Sequence, residues 1–197
     1  NLTVNGAFST IGFANLQNLN VTGTTSARNT ISTSGNQTYG GTVSLTGDTT
    51  LTGATLSHTG FSGGGARDLN LTFTDRVELD GSKFVGISDF VTSGAGGVNL
   101  SGTFSTVRTQ TFGGGGVSLV GDATLKTTTG GAGGRIVFTA PTIDGAHNLT
   151  LTRDSGIADF FDIQSTIGAT TQLASLSVSG ANDVYLHQNV STAGTQT

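Results

Sequence analysis

Short runs in which apolar and polar residues alternate follow one another along the whole chain. Examples begin at Leu2 (LTV), Leu19 (LNV), Val43 (VSL), Leu69 (LNLTF) and Val184 (VYL). Alternation with a period of two, rich in β-branched residues, is typical of strands that bury one face. A helical period is nearly absent, because the one stretch that could form a short helix, residues 157–163, suits a strand equally well.

Glycine separates these runs, often after Asn or Asp. Such pairs occur at Asn5-Gly6, Asp80-Gly81 and Asp144-Gly145. These residues accept the positive φ that tight turns require. The pattern therefore predicts an all-β chain of many short strands joined by tight turns.

One phrase, Ser-Thr followed after three residues by Gln-Thr, occurs three times. It lies within residues 31–38, 104–111 and 190–197, and its glutamines are spaced by 73 and then 86 residues. The match extends outwards, since GTVSLTGDTTL from Gly41 parallels GGVSLVGDATL from Gly115. A shorter match, STIG, links Ser9 with Ser165. Two long and unequal periods are present, and we expect the chain to be a fragment of a longer repeat array.

Each period is too long for a single coil of a stacked β-structure. A coil of a β-solenoid takes about 20 residues, so a period would span about four coils and the chain roughly nine to ten. An immunoglobulin-type sandwich is the competing fold, but its domains run to about 100 residues, which periods of 73 and 86 residues do not match. The repeats favour one β-solenoid segment over residues 1–197.

Composition restricts the partners of the chain. Charged residues make up 10% of it, the net charge is −4 and no basic patch occurs, which argues against nucleic acid and acidic lipid as partners. Cys is absent, so disulfides and thiol chemistry are excluded. No apolar run approaches the roughly 18 residues of a membrane-spanning helix, and we expect no membrane insertion of this segment.

Three longer phrases carry a family resemblance. They are GNQTYGGTVSLTGDTTLTG from Gly35, TIDGAHNLTLT from Thr142 and TIGATTQLASLSVSGANDVYL from Thr166. They resemble the repeats of filamentous-haemagglutinin-like surface proteins of Gram-negative bacteria. The resemblance covers most of the chain and is weakest over residues 73–97. It implies a right-handed parallel β-helix inside a larger secreted adhesin or fibre at the bacterial cell surface.

Histidine offers no metal site in the sequence. His58, His147 and His187 do not recur with the repeat, and no HxH or HExxH spacing exists. We expect ordinary surface histidines and assign no metal ligand.

The acidic residues of DRVELD are the one candidate for catalysis. Strand alternation places Glu78 and Asp80 on one outward face together with Arg76, about 7 Å apart, near the range of glycoside hydrolases. A solvated face with Arg76 between the acids is the expected structure, and we assign no catalytic residue. In DFFD, Asp159 and Asp162 would lie on opposite faces of a strand, with Phe160 or Phe161 in the core.

Other motifs are explained by turns. GGGARD from Gly63 faintly resembles a calcium-binding turn but lacks the tandem GGxGxD copies, while Asp48 and Asp122 recur as Gly-Asp corners. The glycine runs at Gly113 and Gly130 lack the Lys-Ser/Thr of a phosphate-binding loop. We therefore expect no cofactor.

The expected function is structural: a stiff, hydrated spacer that is not an enzyme. Its partners would be neighbouring repeats or copies of itself, with other cells or surface polysaccharide as further candidates. A carbohydrate-active lyase or hydrolase of the β-helix class is one alternative. A Thr-rich face that binds ice or a polysaccharide lattice is another, for which TFT at Thr72 and TTT at Thr127 are the visible candidates.

Overall fold

The computed structural model describes residues 1–128, 134–154 and 160–197. These residues form short strands, with a single 3₁₀ turn at Gly81–Lys83. The strands are β1 Leu2–Val4, β2 Phe8–Ser9, β3 Phe13–Leu16, β4 Leu19–Val21, β5 Thr25–Thr33, β6 Gln37–Tyr39, β7 Val43–Gly53, β8 Leu56–His58, β9 Phe61–Phe73, β10 Val77–Asp80, β11 Phe84–Thr92, β12 Val98–Thr106, β13 Gln110–Phe112, β14 Val117–Thr127, β15 Ile136–Phe138, β16 Thr142–Asp144, β17 Asn148–Arg153, β18 Phe160–Ile163, β19 Thr166–Ile167, β20 Ser175–Val178 and β21 Asp183–Leu186.

The strands wind into a solenoid in which each turn pairs in parallel with the turn before it. Successive turns reach the same side of the rod at Leu2, Leu19, Gln37, Leu56, Val77, Val98, Val117, Ile143, Ile167 and Val190. Eight of these turns have a neighbour on both faces, while the first turn and the incomplete last turn have one. The prediction of a parallel β-solenoid of roughly nine to ten coils is confirmed.

Each turn has three sides. In the turn that begins at Leu19, β4 forms the first side, and the long strand β5 forms both the second side and, beyond a register shift next to Asn29, the third side. Asn29 adopts a φ of 62°, which lets β5 bend around the corner. Asn takes up this left-handed conformation more readily than most residues.

Alternate residues point inwards and form rows of like side chains along the rod. On the third side one such row runs through Ile31, Leu51 and Leu71. Phenylalanine rings continue the core, with centroids 4.9 Å apart for Phe84–Phe104 and 5.2 Å for Phe112–Phe138. Each such ring pair contributes about 0.5–1.5 kcal/mol beyond the burial of its area.

The repeated phrase folds as a corner of the rod. Its threonine hydroxyl donates to the carbonyl two residues further on, in the pairs Thr33–Gly35 (3.0 Å), Thr106–Arg108 (2.7 Å) and Thr192–Gly194 (2.9 Å). Gln37 and Gln110 follow this turn and are fully buried. The phrase that repeats with the sequence period is therefore the segment that forms a corner between two sides of the rod.

The three copies of the corner lie on three different sides. Gln37 lies on the first side in β6, Gln110 on the third side in β13, and Gln196 bridges β20 on the second side. One sequence period therefore spans three turns and two thirds, close to the expected four coils. Successive periods are rotated by a third of a turn about the rod.

The STIG match has no structural counterpart. Ile11 is 65% exposed at a corner, whereas Ile167 is fully buried in β19. The two STIG segments therefore occupy different positions in their turns, and the predicted correspondence between them is wrong.

The described residues contain no helix with the length and apolar character needed to cross a membrane.

Candidate functional site

The ladder on the first side is interrupted in the middle of the rod. One ladder joins β1, β4, β6 and β8, and another starts at β10, but among the described strands no pairing joins β8 to β10. A cavity of about 230 Å³ lies at this place and is lined by Leu56, Ser57, His58, Glu78, Asp80 and Lys83. The cavity gathers both carboxylates of the sequence-predicted pair.

The side chain of His58 connects β8 to β10 where the backbone ladder is interrupted. Its ring packs against both Phe61 and Phe84, with centroid distances of 4.8 and 5.2 Å, and these two rings stack on each other at 5.3 Å. Nε2 is 3.3 Å from the carbonyl oxygen of Glu78, and since a carbonyl only accepts, Nε2 carries the proton of the neutral ring. The expectation of a surface histidine holds only in part for His58, because its ring is partly buried against aromatic residues of two turns.

Burial governs the protonation of His58. Removal of the ring from water lowers its pKa, and the nearby Lys83 lowers it further, against the opposing effect of the Glu78 carbonyl. The other ring nitrogen, Nδ1, is buried and has no hydrogen-bond partner among the described residues. A substrate in the cavity could not reach that nitrogen.

The two carboxylates point outwards as the strand alternation predicted. Val77 and Leu79 are buried, while Glu78 is exposed and Asp80 partly exposed. Arg76 does not accompany them as expected, since its Nη1 donates to the carbonyl of Val98 at 3.0 Å. The partner of Glu78 comes from the next turn, whereas the partners of Asp80 directly follow it in the chain.

Each carboxylate already has a structural partner. Asn99 Nδ2 donates to Glu78 Oε1 at 2.5 Å, and Asp80 Oδ1 accepts from the Ser82 hydroxyl at 2.7 Å and the Ser82 N–H at 3.1 Å. Lys83 Nζ lies 3.9 Å from Asp80 Oδ2. Asp80 thus caps the 3₁₀ turn and fixes the path of the chain beside the cavity.

The surroundings of Asp80 disfavour its use as a general acid. The hydrogen bond from Ser82 lowers the pKa of Asp80, with a further contribution from Lys83. A glycosidase needs one carboxyl group whose pKa is raised so that it can donate a proton. Asp80, whose pKa is lowered, and His58, whose second ring nitrogen is buried, do not suit that task.

Comparison with known proteins adds no candidate. Neither family models, nor curated proteins, nor solved structures give a match to this chain. Within residues 1–128, 134–154 and 160–197, no group of three or more His, Cys, Asp or Glu is placed to hold a metal ion.

The remaining histidines are paired at the surface. His147 Nδ1 lies 3.9 Å from Asp122 Oδ1, and His187 Nε2 lies 2.9 Å from Asp162 Oδ1. Phe161 is the buried plug of DFFD, whereas Phe160 is partly exposed. Asp159 and the glycine run from Gly130 lie outside the described residues.

Aspartates join successive turns at one corner. Asp48 Oδ1 accepts the N–H of Asp68, Asp68 that of Asp89, and Asp89 that of Thr109, at 3.1, 3.0 and 2.8 Å. Arg108 pairs with Asp89 at the end of this stack, and this contact raises the pKa of its guanidinium.

Asp122 acts in the same way at another corner, where its Oδ1 accepts the N–H of Asn148 at 2.9 Å. The recurrence of Asp48 and Asp122 therefore reflects a bond between turns, which is more than the local turn chemistry expected. Gly63 and Asp68, the ends of the calcium-like GGGARD segment, lie inside strand β9.

Proposed function

We propose that this chain is a segment of a stiff, hydrated rod in a secreted cell-surface fibre or adhesin, similar to filamentous-haemagglutinin-like proteins. The observation that carries the proposal is the continuous stacking of turns around one apolar core. Core residues from Leu19 to Leu176 belong to a single buried cluster. A fold of this kind gains stability from each neighbouring turn, so length adds little difficulty to folding.

The exterior fits a hydrated spacer. The strands turn Thr, Ser and Asn outwards, and the few charges sit mostly at corners, where they pair with each other or bond to the next turn. Such a surface is well hydrated and resists nonspecific association. Each turn adds about 4.8 Å to the rod, the spacing of neighbouring strands.

Electron microscopy of the native material and of the purified chain tests this proposal. We expect rods of uniform width, arranged end to end or in bundles. A compact particle that degrades polysaccharide would overturn it.

A carbohydrate-active enzyme is the competing function, and the two carboxylates in the cavity at β8 and β10 are its support. The double variant Glu78→Gln with Asp80→Asn tests it by the release of reducing sugar from polysaccharides. Asp48→Asn, which changes an acid that does not line the cavity, is the matched control. Activity in the wild type that only the double variant loses would replace the rod proposal with an enzyme.

A further inference from the structure

A grid of outward polar side chains covers part of the third side. The long strands β5, β7 and β9 each place two neighbouring outward residues on this side, in register from turn to turn. In the next turn β11 supplies Val91, and Ser93, directly after its end, contacts Thr72. We call this grid the first hydroxyl face; it consists of Thr30 and Ser32, Thr50 and Thr52, Asn70 and Thr72, and Val91 and Ser93.

A second grid covers part of the second side. It is built in the same way by β12, β14, β17 and β20 in the turns that follow, with Ser179 directly after the end of β20. We call it the second hydroxyl face; it consists of Thr103 and Ser105, Thr124 and Lys126, Thr150 and Thr152, and Ser177 and Ser179.

The two faces are copies related by the sequence repeat. The shift of three turns and two thirds that moves the corner at Gln37 to the corner at Gln110 also moves Thr30 onto Thr103. It moves every other member of the first face onto its counterpart. The repeat therefore preserves outward positions that the core does not need, and it presents the second copy in a different direction from the first.

The chemistry of both faces is neutral and rich in hydroxyl groups. Fourteen of the sixteen positions are Thr, Ser or Asn. The exceptions are Val91 and Lys126, and the Lys126 ammonium lies 2.9 Å from a carboxylate oxygen of Asp154. Neutral hydroxyl and amide groups match a ligand that is itself a neutral array of hydroxyl groups.

Hydrogen bonds between turns hold several of these side chains in place. Thr72 Oγ1 lies 3.0 Å from Ser93 Oγ, and the Ser179 hydroxyl donates to Thr152 Oγ1 at 3.2 Å. Side chains that are already ordered lose less entropy when a ligand binds.

We propose that the two hydroxyl faces bind chains of a neutral polysaccharide and that one rod thereby joins chains on two of its sides. The arrangement favours polysaccharide over ice, because a flat crystal meets one side of a rod, whereas a polysaccharide matrix surrounds it. Two sites on one rigid body raise the apparent affinity by about 10²–10⁴ through avidity.

The structure also corrects the threonine motifs read from the sequence. In TFT, Thr72 belongs to the first face but Thr74 lies beyond the end of β9, at a corner. In TTT, Thr127 is fully buried. The residue pairs of the two faces can be identified only from the register between strands of neighbouring turns.

Affinity electrophoresis through gels that contain dextran, laminarin or hydroxyethyl cellulose tests the proposal, with alginate as a charged comparison. Three variants each replace four threonines by the similarly shaped valine and are compared with the wild type. The first-face variant carries Thr30→Val, Thr50→Val, Thr52→Val and Thr72→Val. The second-face variant carries Thr103→Val, Thr124→Val, Thr150→Val and Thr152→Val. The control variant changes outward threonines of the first side, as Thr3→Val, Thr38→Val, Thr142→Val and Thr166→Val.

We expect at least one neutral polymer to retard the wild type and the control variant equally. Because the wild type joins polymer chains through two faces, it should precipitate the polymer. Each single-face variant should bind the polymer about 10²-fold more weakly and should not precipitate it. The variant that combines the substitutions of both faces should not bind. Unchanged thermal unfolding would show that the variants are folded.

Three results would overturn the proposal: no retardation by any neutral polymer, equal binding by the wild type and the combined variant, or equal losses in the control variant. Inhibition of ice recrystallisation that one face alone supports would assign the faces to ice instead. The binding test does not depend on fibre assembly, which the microscopy examines separately.

Discussion

Gln37 is a polar side chain that the rod buries completely because it connects three parts of one corner. Its amide nitrogen donates to the carbonyls of Ile31 and Thr52, at 3.1 and 2.9 Å, and its oxygen accepts from the Tyr39 hydroxyl at 2.9 Å. Burial raises the pKa of Tyr39, so that hydroxyl stays protonated and donates. A buried amide is tolerated when its groups are hydrogen-bonded in this way.

Replacing Gln37 by Ala should lower the free energy of unfolding by about 2–4 kcal/mol, because it leaves a cavity and several unpaired buried groups. Urea denaturation measures the change. Gln196→Ala is the matched control, since this glutamine of the third copy is exposed and bonds to Thr192 at 3.2 Å. Equal effects of the two substitutions would show that the corner bonds do not matter.

His58 should make the rod sensitive to mild acid. Its pKa in the folded chain is lowered by burial, whereas an unfolded histidine takes up a proton near pH 6.5. Below that pH the unfolded chain binds more protons than the folded chain, so the free energy of unfolding falls with pH until the folded pKa is passed. His58→Phe keeps an aromatic ring in the cavity and should flatten this dependence.

Thermal unfolding measured at several values between pH 7 and pH 5 checks the role of His58. His147→Phe, at a half-exposed position beside Asp122, should leave the dependence as in the wild type. A parallel loss of stability in the wild type and in His58→Phe would contradict the assignment.

Some residues could be placed from the sequence and others could not, for a physical reason. Val77, Leu79, Glu78 and Asp80 follow the alternation of a single strand, which local sequence reports. The surroundings of His58 depend on Phe84, which lies one turn away and 26 positions further along the chain. A linear sequence does not show which residues stack on each other.

At the scale of the element, the close packing of neighbouring turns explains why residue 81 is glycine, which a tight turn with positive φ does not. Asp80-Gly81 was predicted as a tight turn with positive φ, but Gly81 has no positive φ and begins a 3₁₀ turn capped by Asp80. A Cβ at Gly81 would lie 2.3 Å from the carbonyl carbon of Thr103 in the next turn. Glycine is needed here for space and not for its backbone conformation.

Gly81→Ala should therefore destabilise the rod by about 2–3 kcal/mol, the usual cost of overpacking. Gly121→Ala is the comparison, because its Cβ would come no closer than 3.2 Å to a side-chain atom of Ser101. We expect a loss below about 1 kcal/mol for this variant. Denaturation curves with equal losses would refute the packing explanation.

At the scale of the whole molecule, the repeat and the turn have different lengths. A turn takes from 17 residues, between Leu2 and Leu19, to 26 residues, between Val117 and Ile143. The sequence showed the spacing of the corners but could not show this variation, so the rotation of successive periods became visible only from the strand pairing. The same corner sequence can therefore precede any of the three sides of the rod.

Deleting one period should therefore leave a folded, shorter rod. Removal of residues 37–109 joins Asn36 directly to Gln110, which restores an intact corner and shifts the following chain by one side. Circular dichroism and thermal unfolding should show a cooperative β-structure. Removal of residues 37–110 instead joins Asn36 to Thr111, so the corner loses its glutamine and the following strand is shifted by one residue, which turns its buried side chains outwards and should prevent folding. The opposite pattern would refute the equivalence of the sides.

The parallel ladders also determine how the rod would respond to tension. Its interstrand hydrogen bonds run along the long axis, so a pull on the two ends loads one outermost turn at a time, as in unzipping. Each released turn of about 20 residues can extend to about 70 Å, although it occupied only about 4.8 Å of the rod. A tether of this kind should lengthen in many steps at nearly constant force. Single-molecule stretching measures this response, and a single abrupt rupture would contradict release turn by turn.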